Sequence, residues 1–125
     1  MDNFTKAYIE AALWSSTDDA DEPLDKNYSA DDLAPETLAT MQADCARFQT
    51  EQAEWLAEDH RTYDGRNYTV EESAGHDFWL TRCRHGAGFW DGDWNEPAAT
   101  KLTDAARAFG EVDLYVGDNR KVYGQ

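Results

Sequence analysis

Residues 112–123 read VDLYVGDNRKVY, and this stretch decides the fold class. Val112, Leu114 and Val116 alternate with Asp113 and Tyr115, which is the period-two pattern of a half-buried β-strand. Residues 117–120 (GDNR) have the composition of a tight turn, and residues 121–123 (KVY) can form a short returning strand. The stretch therefore predicts an antiparallel β-hairpin.

The segment before this hairpin contains a second aromatic stretch and a helix. Residues 75–82 (GHDFWLTR) predict a strand from their aromatic and β-branched content, after a short turn from Thr69 to Ser73. Residues 83–88 (CRHGAG) form a glycine-rich turn, and residues 89–90 (FW) begin a returning strand. A helix is predicted over 97–109, where Gly110 ends it. Its expected buried residues are Leu102, Ala105, Ala106 and Phe109.

The N-terminal half is typical of helices. Asp2 and Asn3 can cap a helix over 4–14, and Pro35 suits the first turn of a longer helix that runs to about residue 56. The apolar seam of that longer helix consists of Leu38, Met41, Cys45, Phe48 and Trp55. Residues 15–32 read as a loop, with Ser29 and Asp32 spaced as a capping box, and residues 59–68 read as a polar loop that contains Gly65.

These elements together predict a single α+β domain over residues 1–125. N-terminal helices pack on a small antiparallel sheet of two hairpins, with one helix inserted between them. The acidic helical part covers residues 1–60, and the sheet-rich part covers residues 69–125.

Negative charge is the strongest compositional signal. The 125 residues include 26 acidic and 11 basic side chains, for a formal net charge of −15. Residues 1–60 hold 15 acidic and three basic residues, a net charge of −12. Such a field repels nucleic acid and anionic lipid and attracts cationic partners. Acidity can also serve solubility alone, and both interpretations stay open at this point.

The acidic residues fall into two candidate partner-binding patches. A loop patch comprises Asp18, Asp19, Asp21, Glu22, Asp25, Asp31 and Asp32. A helix patch comprises Asp44, Glu51, Glu54, Glu58 and Asp59. Asp44, Glu51 and Glu58 repeat every seven residues, so on one helix they would form a stripe. Fixed carboxylates can stand where phosphates would lie in a site lined by lysine and arginine.

The cysteine count and the apolar runs predict a compartment. Cys45 and Cys83 do not form a disulfide framework, and Cys45 lies on an apolar helix seam. The first 15 residues lack a basic region followed by an apolar one, and no apolar run approaches the length of a membrane span. We therefore expect a cytoplasmic protein in a reducing compartment.

Two groups of residues could carry three kinds of chemistry, and each group is incomplete. His76, Asp77, Cys83 and His85 would surround the predicted first hairpin, as a zinc site or as a Cys–His pair oriented by Asp77. Neither a second cysteine pair nor a nucleophile elbow accompanies them. Residues 91–95 (DGDWN) have the oxygen spacing of a calcium loop, but Glu96 and Leu102 occupy the positions that require glycine and glutamate. We therefore predict no enzyme, no metal and no cofactor.

The aromatic residues suggest an alternative function. Trp79, Phe89, Trp90, Trp94 and Tyr115 could form a docking surface for another protein. The competing interpretation is that aromatic residues fill the core, which we expect for Phe78 and Phe89. A small His- or Cys-dependent enzyme is the less favoured further alternative.

The chain also resembles a widespread family of small, acidic, functionally uncharacterised proteins carried by bacteriophages and prophages. The resemblance lies in residues 74–82 (AGHDFWLTR), 85–92 (HGAGFWDG) and 109–118 (FGEVDLYVGD), together with residues 33–38 (LAPETL) and Leu102-Thr103. It implies a phage context and carries over no catalytic residue. Small acidic phage proteins are often anti-defence factors that block CRISPR or restriction complexes by imitating DNA. We therefore expect a DNA mimic whose partner is a basic nucleic-acid-binding protein or complex of the host.

Overall fold

A computed structural model describes residues 1–62 and 68–125. The elements are α1 (Asn3–Ser15), α2 (Pro35–Glu51), α3 (Val70–Arg82), α4 (Ala98–Ala108), β1 (Leu114–Val116) and β2 (Val122–Gly124). Short 3-10 turns cover Leu24–Lys26, Ala30–Asp32 and Glu58–His60. The predicted α+β class with N-terminal helices is confirmed. Part of the predicted polar loop, residues 63–67 with Gly65, lies outside the described residues.

Helices α1 and α3 form the centre of the fold. Asp2 caps α1, since its carboxylate accepts a hydrogen bond from the Thr5 N–H at 2.8 Å. Thr69 and Glu72 form a capping box at the start of α3. The two helices approach so closely that a Cβ on Gly75 would overlap the main-chain carbonyl oxygen of Phe4. Gly75 therefore permits the main helix–helix contact.

The predicted strand over 75–82 is wrong, because these residues belong to α3. Its buried residues lie on nearly every side of the helix, so the sequence shows neither a polar face nor a helical stripe. Phe89 and Trp90 do not return as a strand but lie in a turn, where the Phe89 N–H donates to Thr81 Oγ1 at 3.0 Å. The described residues therefore contain one β-hairpin rather than two.

Aromatic rings from several elements fill the core. Phe48 of α2 stacks on Phe78 of α3, with ring centroids 4.1 Å apart and planes 14° apart. Tyr8 of α1 meets Trp79 edge to face at 5.4 Å. The expected burial of Phe78 and Phe89 is confirmed, since both are fully buried. Stacked and edge-to-face pairs of this kind stabilise the fold beyond the contribution of the apolar area that they bury.

Helix α2 ends at Glu51, earlier than the predicted residue 56. The Gln52 N–H closes the last turn on the Phe48 carbonyl, and the chain then turns so that Trp55 packs against the His60 ring at 5.4 Å. Met41, Cys45 and Phe48 of the predicted seam are buried, whereas Leu38 is half-buried and Trp55 lies beyond the end of the helix.

The hairpin predicted over residues 112–123 is confirmed, because β1 and β2 pair antiparallel. Its register pairs Tyr115 with Tyr123, so Leu114 and Val122 face the core. Leu33 forms a parallel bridge with Val122, which attaches the end of the 15–32 loop to the outer edge of β2. Helix α4 packs Leu102 inward and ends just before Gly110, whose φ of +82° suits the predicted glycine stop.

Candidate partner-binding surface

The acidic loop, defined here as residues 16–33, has a fixed backbone. Thr17 and Pro23 form an antiparallel bridge, and the Leu24 N–H donates to the Ser16 carbonyl at 2.9 Å. The Leu24 side chain is fully buried and anchors the loop against α1. The loop therefore presents its side chains from a defined framework rather than from a loose chain.

Three acids of the loop patch contribute to that framework. The Asp18 carboxylate accepts hydrogen bonds from the N–H groups of Ala20 at 2.8 Å and Glu22 at 3.1 Å. The Asp32 carboxylate accepts from the Ser29 N–H at 2.8 Å, which confirms the predicted capping box. Glu22 pairs with Lys26 at 3.2 Å. These carboxylates hold the loop in shape, as aspartates commonly do in turns.

The other four acids of the loop patch are exposed to solvent: Asp19, Asp21, Asp25 and Asp31. Within residues 1–62 and 68–125, none of their carboxylates takes part in a hydrogen bond or an ion pair. Asp21 has a φ of +61°, a conformation that aspartate and asparagine tolerate better than most residues. These four carboxylates, called the free loop acids below, can accept bonds from a partner.

The helix patch is largely neutralised. Asp44 pairs with Arg82, Glu51 with Arg47, and Glu58 with Arg61, at N–O distances of 2.9, 3.2 and 2.8 Å. The predicted stripe is therefore wrong for two reasons: each of its members pairs with an arginine, and Glu58 lies beyond the end of α2. Glu54 and Asp59 remain exposed, but they also lie beyond that helix.

Arg82 binds Asp44 inside the protein rather than at the surface. Its side chain is 5% exposed, and its guanidinium also donates to the Tyr8 hydroxyl and to the carbonyls of Phe109 and Gly110. Burial lowers the pKa of Arg82, but Tyr8 and the Asp44 carboxylate raise it by more, so the net shift is upward. Burial also raises the pKa of Tyr8, whose phenol stays protonated beside the guanidinium. The Asp44 carboxylate therefore stabilises the fold and is not free to bind a partner protein.

The predicted cluster of His76, Asp77, Cys83 and His85 does not assemble. Helix α3 directs His76 and Asp77 to one cavity, whereas Cys83 and His85 line a different, polar cavity of about 280 Å³. In the described part of the chain, no group of three or more His, Cys, Asp or Glu side chains could hold a metal ion. The Asp77 carboxylate instead accepts the indole N–H of Trp94 at 2.8 Å.

Both thiols are in environments that disfavour a thiolate. Burial raises the pKa of Cys83, whose Sγ lies 3.6 Å from the Val112 carbonyl oxygen. Burial also raises the pKa of Cys45, which is completely enclosed. A thiol that stays protonated at neutral pH is a poor nucleophile. The geometry of Cys83 therefore gives no support to a cysteine-dependent reaction.

The predicted aromatic docking surface is mostly core. Trp79, Phe89 and Trp94 are buried, while Trp90 and Tyr115 are exposed. Sequence reasoning missed a different exposed tryptophan, Trp14, at the C-terminal end of α1. The available signal was its position, because Trp14 follows the exposed charged residues Lys6 and Glu10 in steps of four along the helix.

Comparison with other proteins assigns neither a family nor a function to this chain. No protein-family model matches the chain, and no curated protein or solved structure is significantly similar to it. Over residues 1–62 and 68–125, no helix combines the length and the apolar character needed to cross a membrane. The resemblance to phage proteins therefore stays a prediction.

Proposed function

We propose that this protein binds a basic, nucleic-acid-binding protein by placing its free loop acids where nucleic-acid phosphates would lie. In the context that the resemblance implies, it is a phage-encoded inhibitor that acts in the host cytoplasm. Its target is then a CRISPR or restriction complex of the host, and its action is binding rather than catalysis.

One observation carries the proposal: the free loop acids are exposed and have no partner in the described structure, on a backbone that other acids hold in place. An arginine that binds such a carboxylate can form two parallel hydrogen bonds with it, as it does with phosphate. Because the loop backbone is already ordered, less conformational entropy is lost when a partner binds.

The charge distribution supports the same proposal. The acidic loop contains seven acids and one lysine, and the first 60 residues have a net charge of −12. A field of this sign speeds the association of cationic partners and slows that of nucleic acids, and it weakens as salt rises. If the protein is a DNA mimic, its binding to the partner must therefore weaken strongly as salt rises, and duplex DNA must compete with it for the same site.

The test uses the full chain immobilised as bait for a bacterial lysate. Capture is compared at ~50 mM and ~500 mM salt, because the screening length falls from about 14 Å to about 4 Å between them. We expect nucleic-acid-binding proteins to be retained at low salt and released by high salt or by added duplex DNA. Retention that duplex DNA does not reduce would contradict the proposal.

Two variants with the same net charge distinguish binding by the free loop acids from a general effect of the protein's negative charge. The loop variant carries Asp19→Asn, Asp21→Asn, Asp25→Asn and Asp31→Asn. The control carries Glu71→Gln, Asp104→Asn, Asp113→Asn and Asp118→Asn, at four exposed acids outside both patches. We expect the loop variant to lose most of the capture and the control to keep most of it. Equal losses in the two variants would show that net charge, and not the loop, attracts the partners.

A further inference from the structure

A second feature of the surface is a cavity of about 390 Å³ beside the C-terminal end of α1. Trp14 and Tyr68 line it, and they are 47% and 40% exposed. They are two of the five large hydrophobic side chains that are exposed in the described structure. Exposed aromatic rings that flank a concave site are a common feature of ligand-binding pockets.

The rings are accompanied by carboxylates. Glu10 of α1 and Asp91 of the 83–97 segment line the same cavity, and both are exposed. A cation, Arg61, contacts the wall from outside the lining, because it donates to the hydroxyl of the lining residue Ser73 at 3.0 Å and pairs with Glu58. The cavity therefore combines aromatic faces with negative charge.

A buried nitrogen atom also lies in the wall. Among the described residues His76 Nε2 is buried and makes no hydrogen bond, although Glu10 Oε1 lies at an ion-pair distance of 3.5 Å from it. The His76 ring is oriented by an edge-to-face contact with Tyr68 at 5.2 Å. Buried polar atoms are nearly always hydrogen-bonded, so this nitrogen indicates a place for a polar group of a ligand.

We propose that this cavity binds a small organic cation, an alkylammonium or alkylguanidinium group, between the rings of Trp14 and Tyr68. The rings attract the cation through their electron-rich faces and contact its alkyl part, while Glu10 and Asp91 supply opposite charge. His76 Nε2 offers one further hydrogen bond. This site is separate from the free loop acids and does not depend on the function proposed for them.

The probes are butylammonium and butylguanidinium, with 1-butanol as an uncharged molecule of similar shape. Each is titrated into the isotope-labelled full chain at ~0.15 M salt, where non-specific attraction to the acidic surface is largely screened. We expect both cations to saturate with a dissociation constant on the order of 1 mM, as fits ligands of this size. The saturating shifts should centre on the Trp14 indole and the His76 region, and 1-butanol should give none.

Trp14 and Trp90 form a matched pair of variants, because each is 47% exposed and only Trp14 lines the cavity. Trp14→Ala should weaken cation binding about three- to tenfold, the range of a partly desolvated cation–π contact. Trp90→Ala should leave it unchanged. Glu10→Gln, which removes one charge at an exposed position, should also weaken binding of the cations.

Three outcomes would overturn the site. The first is saturation by 1-butanol as tight as that by the cations, and the second is equal binding by the Trp14→Ala and Trp90→Ala variants. The third is cation-induced shifts spread over the acidic loop without a centre at the cavity. Circular dichroism of each variant shows whether it remains folded, and Glu10→Gln tests the cavity without any loss of ring packing.

Discussion

Replacement of Arg82 by methionine is expected to cause a large loss of stability. The guanidinium makes four hydrogen bonds to three parts of the fold: it donates to Asp44 Oδ2 at 2.9 Å, to the Tyr8 hydroxyl at 3.2 Å, and to the adjacent carbonyls of Phe109 at 3.0 Å and Gly110 at 2.8 Å. Methionine fills much of the same volume but donates nothing. The substitution would therefore leave a carboxylate, a phenol and two carbonyls without their donor.

The size of the effect follows from burial. Removal of one partner of a buried ion pair destabilises by about 3–5 kcal/mol, because the other group stays desolvated. Asp44 retains 25% exposure and can recruit some water, which favours the lower half of that range. With an entropy of unfolding of about 2.1 cal/mol/K per residue, 1 kcal/mol corresponds to about 4 °C in Tm for a chain of this length. We therefore expect Tm to fall by about 12–16 °C.

Arg84 is the matched control, two residues along the chain. Its ion pair with Glu111 is 3.6 Å long, and both side chains are 59% exposed. Exposed pairs contribute little, so Arg84→Met should change the free energy of unfolding by less than about 1 kcal/mol. Urea denaturation followed by circular dichroism measures both variants under the same conditions.

A double variant identifies the cause of the loss. If the unpaired carboxylate is responsible, Asp44→Leu in the Arg82→Met background should recover part of the stability, since removal of both partners is often far less harmful than removal of one. A fall in Tm of only a few degrees for Arg82→Met would refute the reasoning, because it would mean that the four contacts contribute little.

Two further predictions concern α1 and its contact with α3. Asp2→Ala should destabilise by about 1 kcal/mol near neutral pH through loss of the helix cap, and Asp2→Asn, which keeps an acceptor, should not. Burial raises the pKa of Asp2, but hydrogen bonds from Thr5 and Gln49 and the charge of the N-terminus together lower it by more. The stabilisation by the charged Asp2 cap is therefore complete above the ordinary pKa and is lost as the pH falls through the lowered one, so in acid the wild-type protein should approach the stability of the alanine variant, while the difference between the alanine and asparagine variants should stay the same. Gly75→Ala should destabilise by about 1–3 kcal/mol, whereas Gly86→Ala, whose Cβ would meet open space, should be nearly neutral in the same assay.

The parts of the fold that could be predicted from sequence are those with local signals. The hairpin of residues 112–124 has a period-two pattern and a turn, and α1 has a cap followed by a helical stripe. Helix α3 had one local signal, the spacing of Thr69 and Glu72, and aromatic content outweighed it. A helix that is buried on nearly all sides shows no periodicity, so its type is decided by tertiary packing.

The candidate site was only partly predictable for a related reason. Asp44 and Arg82 lie 38 positions apart in sequence, and no sequence pattern indicates that they form an ion pair. The ion pairs of Glu51 with Arg47 and of Glu58 with Arg61 are local, and helical spacing of opposite charges could have indicated the first. A count of charges along the sequence therefore overestimated how many acids of the helix patch are free to bind a partner.

The acids of the loop divide by role in a way that a charge count does not show. Asp18 and Asp32 satisfy main-chain N–H groups, and because they do so, the neighbouring free loop acids need no internal partner to stay in position. Reversal of charge at Asp18 would thus disturb the loop as well as its charge, and loss of binding in that variant would not identify a contact. Substitutions confined to the free loop acids keep the framework intact, so a loss of binding in them can be attributed to the carboxylates themselves.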